Sequence, residues 1–246
     1  MLIPLKVDVP MGRLPWANYV LIAAIVGISI AGFLDTPTFM KFAGIEQSSS
    51  DIQVTLDPDG NPVVLAAQPH LPTKQLPLPV LALTSSFLHG GFVHLLGNML
   101  FLWIFGNAIN YKFGQAGYAG LYLVCAMAAG ISHYLFQGGP VIGASGAING
   151  VMAAFLVFFP RNDITVMWII FLRPRFSTVS SFWIILMWVA WDVFFLAIGV
   201  SSGVALWAHV GGFVTGLTIA LLCLWTGLVK PTQDEQTILQ VLGINR

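Results

Sequence analysis

Charge is what this sequence has least of. Only 8% of its 246 residues are charged, ten acidic and ten basic, against about a quarter in a soluble domain. The balance of the two signs leaves no basic stripe to meet phosphates, which excludes nucleic acid as a partner. Cysteine is nearly absent. Cys125 and Cys223 each fall inside an apolar run, where they pack as small hydrophobes and say nothing of redox compartment. Internal repeats and low-complexity segments are missing as well.

What is abundant is hydrocarbon: 57% of the residues are hydrophobic. Runs long enough to cross an apolar layer about 30 Å thick fall at 16–34, 92–108, 116–136, 145–160, 179–199 and 205–228. The expected fold class is therefore an all-α membrane protein with a bundle of six transmembrane helices, spanning residues 1–230, and a short cytoplasmic tail over 231–246. The first run is longer than a signal-peptide core and has no Ala-x-Ala site after it, so it is kept as a helix. Lys6, Arg13, Lys112, Arg161, Arg173, Arg175, Lys230 and Arg246 all fall on one side if the spans alternate, and only Lys41 and Lys74 on the other. By the positive-inside rule both termini are cytoplasmic, and a plasma (inner) membrane is expected.

One long polar segment, about 35–88, lies on the outer side between the first two spans. The alternation after Asp51, the turn formers Asp57-Pro-Asp-Gly-Asn-Pro and the run from Val63 predict a β-hairpin. Leu76-Pro-Leu-Pro-Val-Leu-Ala-Leu is too short and too rich in proline to span, and is expected to lie in the interface.

Polar side chains within the spans are costly unless a partner or a wet cavity receives them. His94 and Asn98 are four apart, on one helical face. Ser145 opens the fourth run in Gly143-Ala-Ser-Gly146, with Asn149 one turn on. Glycine follows the serine at once, so this is not the Gly-x-Ser-x-Gly elbow of soluble hydrolases. His209 sits among Ala208, Gly212 and Gly216, a ladder of small residues matched by Gly146 and Gly150, which lets two helices approach closely enough for histidine to reach serine. Under the alternating topology all three sites lie near the outer ends of their spans. One pocket can then hold Ser145 as nucleophile and His209 as general base. The Ser145 backbone N–H, at a helix start, joins His94 and Asn98 as an oxyanion hole. Gly143 and Gly146 are expected on the substrate-binding surface.

Three segments, HGGFVHLLGNMLFLWIFG (His89–Gly106), GASG (Gly143–Gly146) and AHVGGFVTG (Ala208–Gly216), resemble the rhomboid intramembrane serine proteases in order and separation. With the start MLIPLKVD the resemblance covers nearly the whole chain. It implies a six-helix bundle that cleaves single-pass transmembrane protein substrates within the lipid bilayer, near its outer face. It further implies a Ser145–His209 dyad with no third acidic member, no cofactor, and access sideways past the fifth span. One departure is Asn110, where the family often carries an acid.

Other readings are set beside this one. Ser145 could be a packing residue, and Asn98 and Asn149 interhelical hydrogen-bond glue, the role preferred for Asn149. His89 is expected to brace the loop before the second span and His133 to be a satisfied or interfacial histidine. A metal site of His89, His94 and His209 lacks a clustered carboxylate or thiolate, so none is expected. Asp192 is read as an acid that hydrogen-bonds near the outer end of the fifth helix, with no catalytic part. A non-catalytic rhomboid-like protein that binds transmembrane helices is the alternative function. A transporter ranks third, lacking paired charges within the spans. Oligomeric state is not encoded in any feature of the sequence.

Overall fold

A computed structural model describes residues 2–35, 42–43, 53–56, 62–65, 76–170, 173–199 and 204–244. Its centre is a helix that is apolar all round. This element, α5 (Ser145–Phe158), buries every residue except Ser145 and Asn149, as expected of a helix with no polar face. Around it stand α1 (Trp16–Leu34), α3 (Phe92–Phe101), α4 (Asn107–Phe136), α6 (Ser181–Ala197) and α7 (Leu206–Thr226). α2 (Leu78–Ser85) lies earlier in the chain, and α8 (Ile238–Val241) follows the bundle. Among the described residues, three helical stretches are long and apolar enough to cross a membrane: Trp16–Leu34, Phe92–Phe136 and Leu206–Thr226.

The second stretch is continuous by hydrogen bonding but not straight. A π-helical turn, Leu102–Gly106, joins α3 to α4. Asn18 of α1 meets the irregular backbone there, its amide donating to the Leu102 carbonyl at 2.9 Å and to Asn107 Oδ1 at 2.7 Å, the internal satisfaction that a buried backbone requires. Asn110 Oδ1 accepts the Asn18 backbone N–H at 3.0 Å. Asn110 thus serves the first turn of α1. Further on, Gly114 takes φ +76°, a left-handed conformation suited to glycine, and the helix breaks there, within the link expected between the second and third spans.

The all-α expectation is corrected by a sheet. β1 (Leu2–Val7) pairs antiparallel with β4 (Asp163–Ile170), and β4 with β5 (Arg173–Ser180), in the order β1-β4-β5. Val7, Ile164 and Val166 bury one face of it, while Asp8 Oδ1 accepts from Asn162 Nδ2 and the Asp163 N–H, both at 2.9 Å. The fifth helix consequently starts at Ser181, because Val179 and Ser180 are strand. β2 (Gln53–Leu56) and β3 (Pro62–Leu65) also pair antiparallel. The expected turn at Asp57–Asn61, Lys41, Lys74 and Arg246 lie outside the described residues.

The segment expected to lie in the interface is α2, packed on α4. A Cβ added to Gly130 would collide with Ala82. Prolines 77 and 79 do not break it because they occupy its start, where no intrahelical N–H is needed. The tail is also more than an extension: Lys112 and Glu235 form an ion pair, and Ile238 of α8 is buried.

Candidate active site

α5 and α7 touch backbone to backbone. A Cβ on Gly212 would strike the Gly146 carbonyl, and one on Gly216 the Gly150 carbonyl, the close approach that the ladder of small residues predicts. Where the two helices begin, His209 Nε2 lies 2.9 Å from Ser145 Oγ. The other ring nitrogen, Nδ1, lies 2.7 Å from Oδ2 of Asp192 on α6. The expectation of a histidine with no acid beside it is therefore corrected: a carboxylate does gather at the site, brought by a helix that neither of its partners occupies. A carboxylate only accepts, so Nδ1 carries the proton and Nε2 presents its lone pair to the serine hydroxyl.

Ser145 is the first residue of α5, and its N–H precedes the first intrahelical bond, from Ile148 N to the Ala144 carbonyl at 3.0 Å. Asn149 Nδ2 donates to the Ser145 carbonyl at 3.0 Å. It therefore ties down its own helix, not a neighbour, which corrects the glue reading: at i+4 the nearest acceptor is the preceding turn.

Gly143 and Gly146 are placed by packing. Gly143 adopts φ +118° and a Cβ there would run into the His94 ring, while a Cβ on Gly146 would meet Ala129 and the Ala208 backbone. Both line a small pocket with Ser145, Ala129 and Ala208.

A cavity of about 1170 Å³ stands over the serine, lined among others by His94, Asn98, His133, Gln137, Ser145 and His209. A second of about 340 Å³ continues between α3 and α6, past Val93, Gly97, Trp188, Trp191 and Asp192. His94 and Asn98 border both. Asn98 Nδ2 lies 2.8 Å from His89 Nε2, and His89 Nδ1 lies 2.9 Å from Ser29 Oγ on α1. His89 is fully buried, and burial, with the nearby His94 charge, pushes its imidazole down to about 4. It braces more than a loop. His133 borders the large cavity, and its Nδ1 is buried without a partner among the described residues.

Sequence reasoning missed Asp192, His89 and Ser29 as parts of this constellation. The available signal was cost: an acid inside an apolar helix calls for a partner, and Asp192 was the only one well inside a span.

The family sequence model described as "Rhomboid domain" matches residues 80–226, from α2 to the end of α7, so the N-terminal part of the expected likeness lies outside it. The chain is similar to RHOMBOID-like protein 4 of Arabidopsis thaliana, 34% identical over 143 residues, covering 58% of this chain and 33% of that protein. It is similar to RHOMBOID-like protein 6, mitochondrial, of the same plant, at 32% over 147 residues, 58% of this chain and 43% of that protein. To Rhomboid protease GlpG of Klebsiella pneumoniae it is 28% identical over 137 residues, 56% of this chain and 46% of that one. The aligned region spans less than half the length of each. With the three motifs drawn together and more than half of the chain matched by one family model, the chain belongs to the rhomboid family.

Proposed function

We propose that the protein is an intramembrane serine endopeptidase that cleaves transmembrane helices near the outer face of the membrane. The observation that carries this is the 2.9 Å contact between Ser145 Oγ and His209 Nε2 at the floor of an open cavity, a nucleophile and base in hydrogen-bond reach. In the reaction the Ser145 hydroxyl proton passes to Nε2 as Oγ bonds the scissile carbonyl carbon. The leaving amine takes that proton from His209, and water then releases the acyl group by the same route. The Ser145 N–H, His94 and Asn98 receive the oxyanion.

Helix lengths support the proposed membrane arrangement. α5 has 14 residues, about 21 Å at 1.5 Å per residue, too short for the hydrocarbon core. Because it is buried it needs no lipid match, and its outer end lies below the surface with the cavity above it. Adding the break at Gly114 and the 17-residue α6 gives six crossings, with both termini on the side richer in lysine and arginine. One of the relatives is named mitochondrial, so the plasma membrane expected from the sequence is not carried into this proposal.

The substrate is a single transmembrane helix with helix-weakening residues at the scissile bond, since an intact helix hides its carbonyls. The cavity between α3 and α6 offers a sideways route to Ser145. Purified protein should react with a fluorophosphonate and cut a model transmembrane substrate in liposomes, and Ser145→Ala and His209→Ala should each do neither while still inserting. Appreciable cleavage by Ser145→Ala would end the protease reading. An unreactive wild type would favour a helix-binding, non-catalytic role.

A further inference from the structure

We propose that Asp192 is the positioning residue of a three-member relay, Ser145–His209–Asp192, in which the carboxylate fixes both the tautomer and the rotation of the base. The inference rests on the protease reading above and extends it to a residue on a third helix. The 2.7 Å contact to Nδ1 leaves 13% of the His209 side chain and 22% of the Asp192 side chain accessible, so the pair is largely withdrawn from water. Its direction is set by chemistry: the carboxylate accepts the Nδ1–H bond, Nε2 keeps its lone pair toward Ser145 Oγ, and no proton passes to Asp192. An imidazole held by one bond alone can turn about its side chain or take the opposite tautomer, and either removes the base.

The surroundings argue against Asp192 as helix glue. α6 is anchored at its other end, where its buried residues are Ser181, Ile184 and Ile185 and where Ser181 Oγ donates to the Phe159 carbonyl at 2.5 Å. Around Asp192 the helix faces outward, with Trp191 and Phe194 each more than half exposed. An acid on such an apolar helix is costly, and its placement is accounted for by a base that uses it. α6 also borders the smaller cavity through Trp188, Trp191 and Asp192, so the helix beside the proposed substrate route holds the group that aims the base.

The test uses the full chain in detergent and liposomes, with Ser145→Ala as the null. Asp192→Asn preserves size and can still hydrogen-bond, but its amide can donate to Nδ1 and impose the wrong tautomer. Expected is a fall in kcat of about 10- to 100-fold, the range seen when a metal-bound imidazole loses its carboxylate partner. Fluorophosphonate labelling should slow in parallel, KM and melting temperature should hold, and Asp192→Glu should recover part of the rate. Wild-type turnover by Asp192→Asn, with Ser145→Ala null, would overturn the relay and leave the protease reading intact. A loss matched by a lower melting temperature in both the Asn and Glu variants would also overturn it, as structural glue. If Asp192→Asn does not fold, 15N shifts of the histidine ring in the wild-type protein decide: an Nδ1–H tautomer at His209 supports the relay, and an Nε2–H tautomer refutes it. Cleavage by Ser145→Ala would instead remove the protease reading and the relay with it.

Discussion

Asn98 donates its side-chain amide to Nε2 of His89 across 2.8 Å, and the direction is dictated from the far side of the ring. Ser29 Oγ gives its proton to the Phe87 carbonyl at 2.9 Å, so it can only accept from His89 Nδ1. Nε2 is left with a lone pair, and one amide hydrogen of Asn98 is committed to it. A backbone carbonyl, a hydroxyl and a buried imidazole thus orient the amide from α1 to the cavity.

Replacing His89 by alanine should therefore act twice. Ser29 and Asn98 lose a buried partner, for about 1–3 kcal/mol of stability, and the amide loses its aim, so kcat of the folded fraction falls with little change in KM. Thermal melts and turnover on one preparation check both.

Asn98→Ala separates catalysis from packing. As an oxyanion donor, Asn98 matters more in the transition state than in the bound substrate, and its loss should lower kcat by up to about 10²–10³. As interhelical glue, it should cost roughly 0.6–2 kcal/mol of stability and leave the turnover of folded protein unchanged.

The pH dependence of stability should carry the signature of His89. Its value falls from 6.5 in the unfolded chain to about 4 in the fold, so the unfolded state takes the proton first. The contribution is whole above about pH 6.5 and is lost as pH drops toward 4, with a slope of at most about 1.4 kcal/mol per pH unit. His94, whose ring centroid is 5.0 Å away, is its titratable neighbour. Melting temperature measured from pH 7 to 4 should decline more steeply for wild type than for His89→Gln, and equal slopes would remove His89 as the cause.

Gly212→Ala should pry α5 from α7, because its Cβ has only the Gly146 carbonyl to occupy. About 1–3 kcal/mol of destabilisation is expected from such overpacking. Since the same seam carries Ser145 and His209, fluorophosphonate labelling of the folded protein should drop as well. Unaltered labelling would mean that the seam tolerates the shift.

The helices were legible because hydrocarbon demands long apolar runs, and the serine and histidine because polar groups there demand reasons. The sheet was not. The apolar run of β4, Asp163–Ile170, reads as connection in a chain of apolar runs, and its partner β1 lies far back in sequence, where no local pattern can announce a pairing. The same distance hid the site's support. Asp192 reaches His209 from another helix and Ser29 reaches His89 from the first one, and spacing along a chain records faces of a single helix, not the neighbours that tertiary packing supplies. The tight fit of Gly143 against the His94 ring and of Gly146 against Ala129 and Ala208 was hidden in the same way.

The pairing of β1 with β4 sets an order of assembly. About 160 residues separate Val7 from its partner Ile164, and at about 5–20 residues per second the ribosome delivers the second strand roughly 10–30 s after the first. Through that interval α1 to α5 are synthesised while β1 waits with an unpaired edge, open to competing strands. The sheet can close only once β4 is made, joining β1 to the segment after the central helix while α6 and α7 are still to come. Deletion of β1 should then leave the insertion of individual helices unharmed and expose the free edge of β4.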